Sequence, residues 1–355
     1  MNPDRSFKPL RAVLAAVIAS MLMAVPSLAG VADLQFSTIN EIVRVSQNVD
    51  GGGGRGSGSI FENFYNPAED QRYLCVITAD HVLKLGNGGS IAFGNTPYDT
   101  NFGPFYNASH AALGQYKGIE VAGDPMLHHP DLGVMVVPVP DTPFFQGLVP
   151  FNLVTPIGDE HDITIRGFGL TGPFTSITTG ARGQRFAYVE DLDSYGTQRF
   201  YNNTIEEFEL RDDGKYRDLT ELFTVDAPLG GIIGEGVGMR GDSGGPMLNY
   251  FPMATTLSNH TIVPGFTLDI EAVFTHAFDN GDAFLDPGEE DTFIDDEGNT
   301  RFIVDFTNIY AGVVLLPEYI DWARGECEDN IPEPGTAMLL GAGLGIMGVR
   351  RSRRR

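Results

Sequence analysis

Gly241-Asp242-Ser243-Gly244-Gly245-Pro246 is the stretch on which the reading of this 355-residue chain turns. A serine nucleophile needs a tight turn free of side chains, so that its hydroxyl projects and backbone N–H groups point at a developing oxyanion. Three glycines and a proline around Ser243 supply that turn. At ordinary residue frequencies the six-residue string arises by chance on the order of once per ten thousand such chains. An incidental glycine-rich hairpin is therefore a poor account of it.

A serine alone is a weak nucleophile and needs a base held by a third group. Of the seven histidines, His81 stands at the end of Cys75-Val76-Ile77-Thr78-Ala79-Asp80-His81, an apolar and β-branched run that reads as a strand delivering it to a rigid edge. The stretch 55–61 reads as the partner strand, entered through Gly51-Gly52-Gly53-Gly54. Asp131 opens the run Leu132-Gly133-Val134-Met135-Val136-Val137 and is the best candidate to orient the histidine; Asp124 and Asp141 compete, but neither leads into such a strand. The order along the chain is His81, Asp131, Ser243.

Composition agrees with a β-rich chain. Glycine (44) and proline (22) are abundant and no long stretch carries a 3.6-residue apolar period, which predicts an all-β chain of short strands and many turns. Setting aside residues 1–29 and 332–355 leaves 15 basic and 45 acidic residues between them, a surface that repels phosphate backbones and excludes nucleic acid as a partner. With only Cys75 and Cys327, a disulfide-rich scaffold and a cysteine zinc site are excluded, and whether the two pair is left open.

Both ends read as address labels. Arg5, Lys8 and Arg11 precede the apolar run 13–25 and then Ser27-Leu28-Ala29, the pattern of a signal peptide over 1–29 and of export through the Sec pathway. At the other end Pro332-Glu333-Pro334 is followed by the apolar stretch 337–349, too short for a comfortable span, and an arginine cluster that would hold its end on the cytoplasmic side. Residues 331–355 resemble the PEP-CTERM sorting signal. The resemblance implies a Gram-negative bacterium, transient association with the inner membrane, an exosortase-type enzyme as partner, and release to the cell surface or extracellular matrix. A plain tail anchor is the alternative.

Between these ends the chain resembles the trypsin/chymotrypsin-fold serine proteases, whose motifs stand here as Thr78-Ala79-Asp80-His81, Asp131-Leu132-Gly133 and Gly241 to Pro246. Tyr310, Val313 and Tyr319-Ile320-Asp321-Trp322 resemble the family's last strand and closing helix, with Pro317 suited to the helix's first turn. The resemblance implies two six-stranded antiparallel β-barrels over 30–325, a short C-terminal helix, and an active site between the barrels. It implies catalysis by His81, Asp131 and Ser243, an oxyanion hole formed by the N–H groups of Gly241 and Ser243, and protein or peptide substrates. An α/β-hydrolase requires the order Ser, Asp, His and fails.

The departures are as informative. Asp80 replaces a family alanine, and either raises the pKa of His81 or faces solvent. Val82 and Met239 stand where the family has cysteines. No activation site is visible, so the family's pairing of a new N-terminus with the aspartate before the serine is doubtful for Asp242. Val237 takes the floor of the primary pocket, which disfavours cleavage after Arg or Lys; Thr275 and His276 are expected on the opposite wall. No cofactor is required for the chemistry. The segment 279–297 holds nine carboxylates and no basic residue, and Asn280, Asp282, Asp286 and Glu289 have part of the spacing of an EF-hand loop, so calcium is a candidate ligand there. The competing function is a catalytically inactive matrix or binding protein of the same fold.

Overall fold

The chain was described from a computed structural model covering residues 28–29, 39–94, 104–156, 161–170, 172–179, 183–189, 195–223, 241–249, 269–278, 292–294, 300–305 and 309–332. Of the expected signal peptide only Leu28–Ala29 (β1) lies within these residues. Val237, the calcium candidates Asn280, Asp282, Asp286 and Glu289, and Glu333 and Pro334 lie outside them.

The structure is mostly β, with two curled antiparallel sheets and a helix at the C-terminal end. The first sheet contains β2 (Ile42–Ser46), β3 (Arg55–Asn66), β4 (Gln71–Thr78), β5 (Ser90–Ala92), β6 (Tyr106–Asn107), β7 (His110–Leu113) and β8 (Gly133–Val139), in the order β6-β5-β2-β3-β4-β8-β7. Its two edges, β6 and β7, are joined by only Ala108 and Ser109, so the sheet curls back on itself; a bridge between Gly86 and Ala111 completes the approach.

A short helix α1 (Pro143–Gln146) leads out of this sheet. The second sheet contains β9 (Asn152–Leu153), β10 (His161–Gly167), β13 (Arg199–Ile205), β14 (Glu207–Asp212), β15 (Arg217–Phe223), β16 (Pro246–Asn249), β17 (Asp269–Phe278) and β20 (Ile309–Val314). Its order is β13-β10-β16-β17-β20-β15-β14, with β9 added in parallel to β17. A further sheet joins β1 to β11 (Gly172–Thr179), β12 (Gly183–Val189), β19 (Thr300–Asp305) and β18 (Thr292–Ile294).

The unbroken apolar runs of β4 and β8 follow from burial on both faces. Along β8, Val134 and Val136 face a core shared by the two sheets, while Met135, Val137 and Val139 fill the interior of the first. In β4, Cys75 and Ile77 take the shared side and Leu74 and Val76 the inner one. A strand alternates its side chains with period two, so only double-sided burial makes every position apolar. The shared core also receives Ile270, Val273 and Val313 from the second sheet.

Helix α2 (Pro317–Asp329), with Pro317 in its first turn, packs Tyr319, Ile320, Ala323 and Cys327 into the shared core, and Trp322 is half-buried against it. Cys327 is joined to Cys75 by a disulfide, Cα to Cα 5.9 Å, which ties the helix to the first sheet. Beyond the helix, the carbonyl of Pro332 accepts a hydrogen bond from Asn66 Nδ2 at 2.7 Å.

Candidate active site

The turn 241–245 is built as the sequence requires. Gly241 (φ +94°) and Gly244 (φ +86°) are left-handed, and the Gly245 N–H returns to the Asp242 carbonyl at 2.7 Å. The buried Asp242 side chain accepts the Gly169 N–H at 2.9 Å, and a side chain at Gly167 or Gly169 would overlap it. Among the described residues, the N–H groups of Gly241 and Ser243 have no hydrogen-bond partner.

His81 sits in a short 3₁₀ turn, Asp80–Val82, directly after β4. Its Nδ1 lies 3.1 Å from Asp131 Oδ2 and 3.2 Å from Oδ1, and its backbone N–H donates to Oδ1 at 3.1 Å. The carboxylate thus grips the residue at ring and main chain together. With Nδ1 so engaged, Nε2 is the nitrogen left to exchange a proton; it has no partner among the described residues.

The two turns meet through Ser57 of β3. Its N–H donates to the Ser243 carbonyl at 2.8 Å and its hydroxyl to the Gly241 carbonyl at 2.8 Å. Its own carbonyl accepts from Thr78 Oγ1 at 2.6 Å, three residues before His81. Gly244 closes the contact, since a Cβ there would overlap both Thr78 Oγ1 and the Ser57 carbonyl. No motif marks Ser57, and its role emerges only from contacts far apart in sequence.

The Ser243 hydroxyl donates to the Thr275 carbonyl at 3.2 Å, and among the described residues no hydrogen bond joins it to His81. Thr275 is buried at a register shift in the pairing of β17 with β20 and so lies beside the serine. His276 continues the same strand, with its side chain outside what is described.

Behind the His81–Asp131 pair lies a polar layer that sequence reasoning missed. Asp131 Oδ2 is 3.4 Å from Arg211 Nη1, and the Asp131 N–H donates to Asp218 Oδ2 at 2.8 Å. Arg211 stacks over the Tyr216 ring and binds Asp213 at 2.6 Å. Asp80 does not face solvent. It is fully buried, accepting from the Tyr216 hydroxyl at 2.8 Å and from Gln115 Nε2 at 2.8 Å. Burial raises its pKa to about 6, with the Asp131 charge adding to the rise. Burial likewise raises Asp218 to about 7. In sequence, Arg211-Asp212-Asp213-Gly214-Lys215-Tyr216-Arg217-Asp218 reads as a solvated charged turn, so nothing local announces this role.

Comparison with known proteins adds the following. Residues 330–355 match the PEP-CTERM protein-sorting motif. A motif of this kind implies export and processing by an exosortase. Among the described residues no helix is long and apolar enough to cross a membrane, and the apolar stretch 337–349 lies outside them. No curated protein sequence matches the chain. Among solved structures, the protease Anisep from Arthrobacter nicotinovorans aligns with a TM-score of 0.43 and 10% identity, covering 82% of this chain and 97% of that one. A thermostable serine protease, AL20, from an extremophilic microorganism aligns with a TM-score of 0.39 and 12% identity, covering 78% and 92%.

Proposed function

We propose that the chain is an exported serine endopeptidase. Ser243 Oγ attacks the peptide carbonyl carbon, His81 Nε2 takes the serine proton and passes it to the leaving amine, and Asp131 holds the imidazole in the required tautomer. The N–H groups of Gly241 and Ser243 receive the oxyanion; water, giving its proton to His81 Nε2, then attacks the acyl carbon, and Ser243 Oγ leaves and takes that proton back. The observation that carries the reading is the Asp131 grip on His81 Nδ1, on a turn docked through Ser57 against the turn of Ser243. Neither folding nor solubility calls for that combination.

A second reading, a catalytically inactive matrix or binding protein of the same fold, has one observation in its favour: the serine hydroxyl bonds to the Thr275 carbonyl instead of to His81. A single χ1 rotation undoes that bond, and hydrogen bonds of this kind commonly tighten only when substrate arrives. Labelling of the secreted protein by a fluorophosphonate probe separates the two. The protease reading expects the adduct on Ser243 and a loss of peptidase activity of about 10⁴-fold or more in Ser243→Ala. A folded protein that neither takes the probe nor cleaves a casein-type substrate overturns it.

The finer features stay with this proposal. Val237, Thr275 and His276 would shape the primary pocket. Calcium at Asn280, Asp282, Asp286 and Glu289 would order the acidic segment beside it, to be tested by chelation. Transient association with the inner membrane would precede processing at Pro332-Glu333-Pro334.

A further inference from the structure

The second sheet holds a buried polar cluster for which the peptide chemistry has no use. His161 opens β10, Glu221 lies on β15 and Glu271 on β17, and one ligand-type atom from each lies within 4.8 Å of the others. Glu271 is placed there by a β-bulge: β16 pairs Met247 with Ala272 and Leu248 with Ile270, skipping Glu271. Bulges re-aim a side chain at a cost in regular pairing. His161 Nε2 is 2.6 Å from Glu271 Oε1, and Asn249 Nδ2 donates to Glu271 Oε2 at 3.3 Å.

Glu221 is the anomaly. It is 0% exposed, and among the described residues neither carboxylate oxygen has a hydrogen-bond partner. A second carboxylate nearby makes its ionisation still harder, and burial together with Glu271 drives its pKa upward. Buried carboxylates without donors are rare unless a cation or a proton occupies the space between them.

We propose that His161, Glu221 and Glu271 bind one divalent transition-metal cation, with zinc the best match to the donor set. One imidazole and two carboxylates suit zinc or its neighbours, whereas calcium and magnesium take oxygen ligands alone. Ligand bonds of roughly 2.0–2.2 Å require the His161–Glu271 pair to part and Glu221 to close in, shifts on the order of 1 Å. The cation supplies the positive charge that Glu221 lacks. It also fixes β17 four residues before Thr275, whose carbonyl receives the Ser243 hydroxyl.

The test uses the full secreted chain purified without chelator. Elemental mass spectrometry should find about one equivalent of zinc or a neighbouring metal. EDTA should lower the melting temperature, and with calcium resupplied throughout, zinc at a hundred times its dissociation constant should raise it by a further roughly 4 °C, with magnesium ineffective. Glu221→Gln should lose the metal and the zinc response. Should that variant not fold, the wild-type metal content and the chelation and add-back series decide alone. A wild-type protein free of zinc and its neighbours, with a melting temperature indifferent to zinc when calcium is present, overturns the site. So does an unchanged zinc shift in folded Glu221→Gln. A Glu221→Gln variant at least as stable as a metal-free wild type would show instead that the two glutamates share a proton.

Discussion

Arg211 and Asp131 meet across the two sheets, Nη1 to Oδ2 3.4 Å, with side chains only 5% and 2% exposed. Asp131 therefore answers to two partners, His81 on one side and a buried guanidinium on the other. Asp213, 2.6 Å away, and Asp218, 4.0 Å away, are the other carboxylates of Arg211, which is the cation that the geometry sets among three acids. Replacing it by methionine should cost about 3–5 kcal/mol of stability, because a buried charge loses its partner. Peptidase activity should fall along with it, through kcat more than KM, since Asp131 loses the guanidinium that holds it beside His81. Arg211→Lys should recover part of both. Unfolding curves and kinetics on the two variants decide the matter, and an Arg211→Met protein of wild-type stability would refute the buried pairing.

Gly244→Ala tests how the two turns dock. The residue is left-handed at φ +86°, and a methyl group there would overlap Thr78 Oγ1 and the Ser57 carbonyl. The expected loss is about 2 kcal/mol or more in stability, with a fall in activity of at least ~100-fold as Ser243 is displaced from His81. Normal kinetics in this variant would mean that the contact between the turns is not what aligns them.

The buried acids predict an inverted pH dependence. Asp218 binds its proton more tightly folded (about 7) than unfolded (3.8), so between those values the native state holds more protons than the unfolded chain. Stability contributed by such a group falls as pH rises through that window and is constant outside it. Asp80, raised to about 6, acts in the same direction. The melting temperature should accordingly drop by several degrees from pH 5 to pH 8. In Asp218→Asn the side-chain oxygen still accepts the Asp131 N–H, so the protein should fold with a visibly flatter pH profile. Parallel profiles for the two proteins would rule Asp218 out as the source.

The disulfide should matter more than its position near the end of the fold suggests. Cys75 and Cys327 are 252 residues apart, and closing so long a loop removes unfolded-state entropy worth about 5 kcal/mol in the chain-entropy model. Measured effects usually fall below that figure. The Cys75→Ala, Cys327→Ala double variant should lose roughly 2–5 kcal/mol, read from denaturant midpoints. A change below about 0.5 kcal/mol would show that the shared core holds α2 without the cross-link.

The sequence was most informative where a function demands a local shape. Ser243 needs a glycine turn, His81 needs a strand to carry it, and Asp131 stands at the head of a strand apolar on both faces. Each of these leaves a mark within eight or nine residues. Ser57 leaves none, because its role is made of bonds to Gly241 and Ser243 more than 180 residues away. Arg211 and Asp218 were illegible for a different reason: a run of alternating charges looks like a wetted hairpin unless one knows that its hydrogen-bonding partner is a buried carboxylate. The pairing of Cys75 with Cys327 was open for want of a distance, which only the packing of α2 supplies.

The short tether after α2 also has a mechanical meaning. Pro332, the first residue of the sorting motif, is five residues beyond Cys327, a slack of roughly 18 Å at full extension. A pull on the tail would first break the Asn66 contact, then peel the final turn of the helix, and there meet a covalent stop at Cys327. On the proposed processing at Pro332-Glu333-Pro334, the enzyme would work close against the folded body. Any force it exerts enters β4, the strand that carries His81, as tension on a rivet and not as a zipper opening from one end.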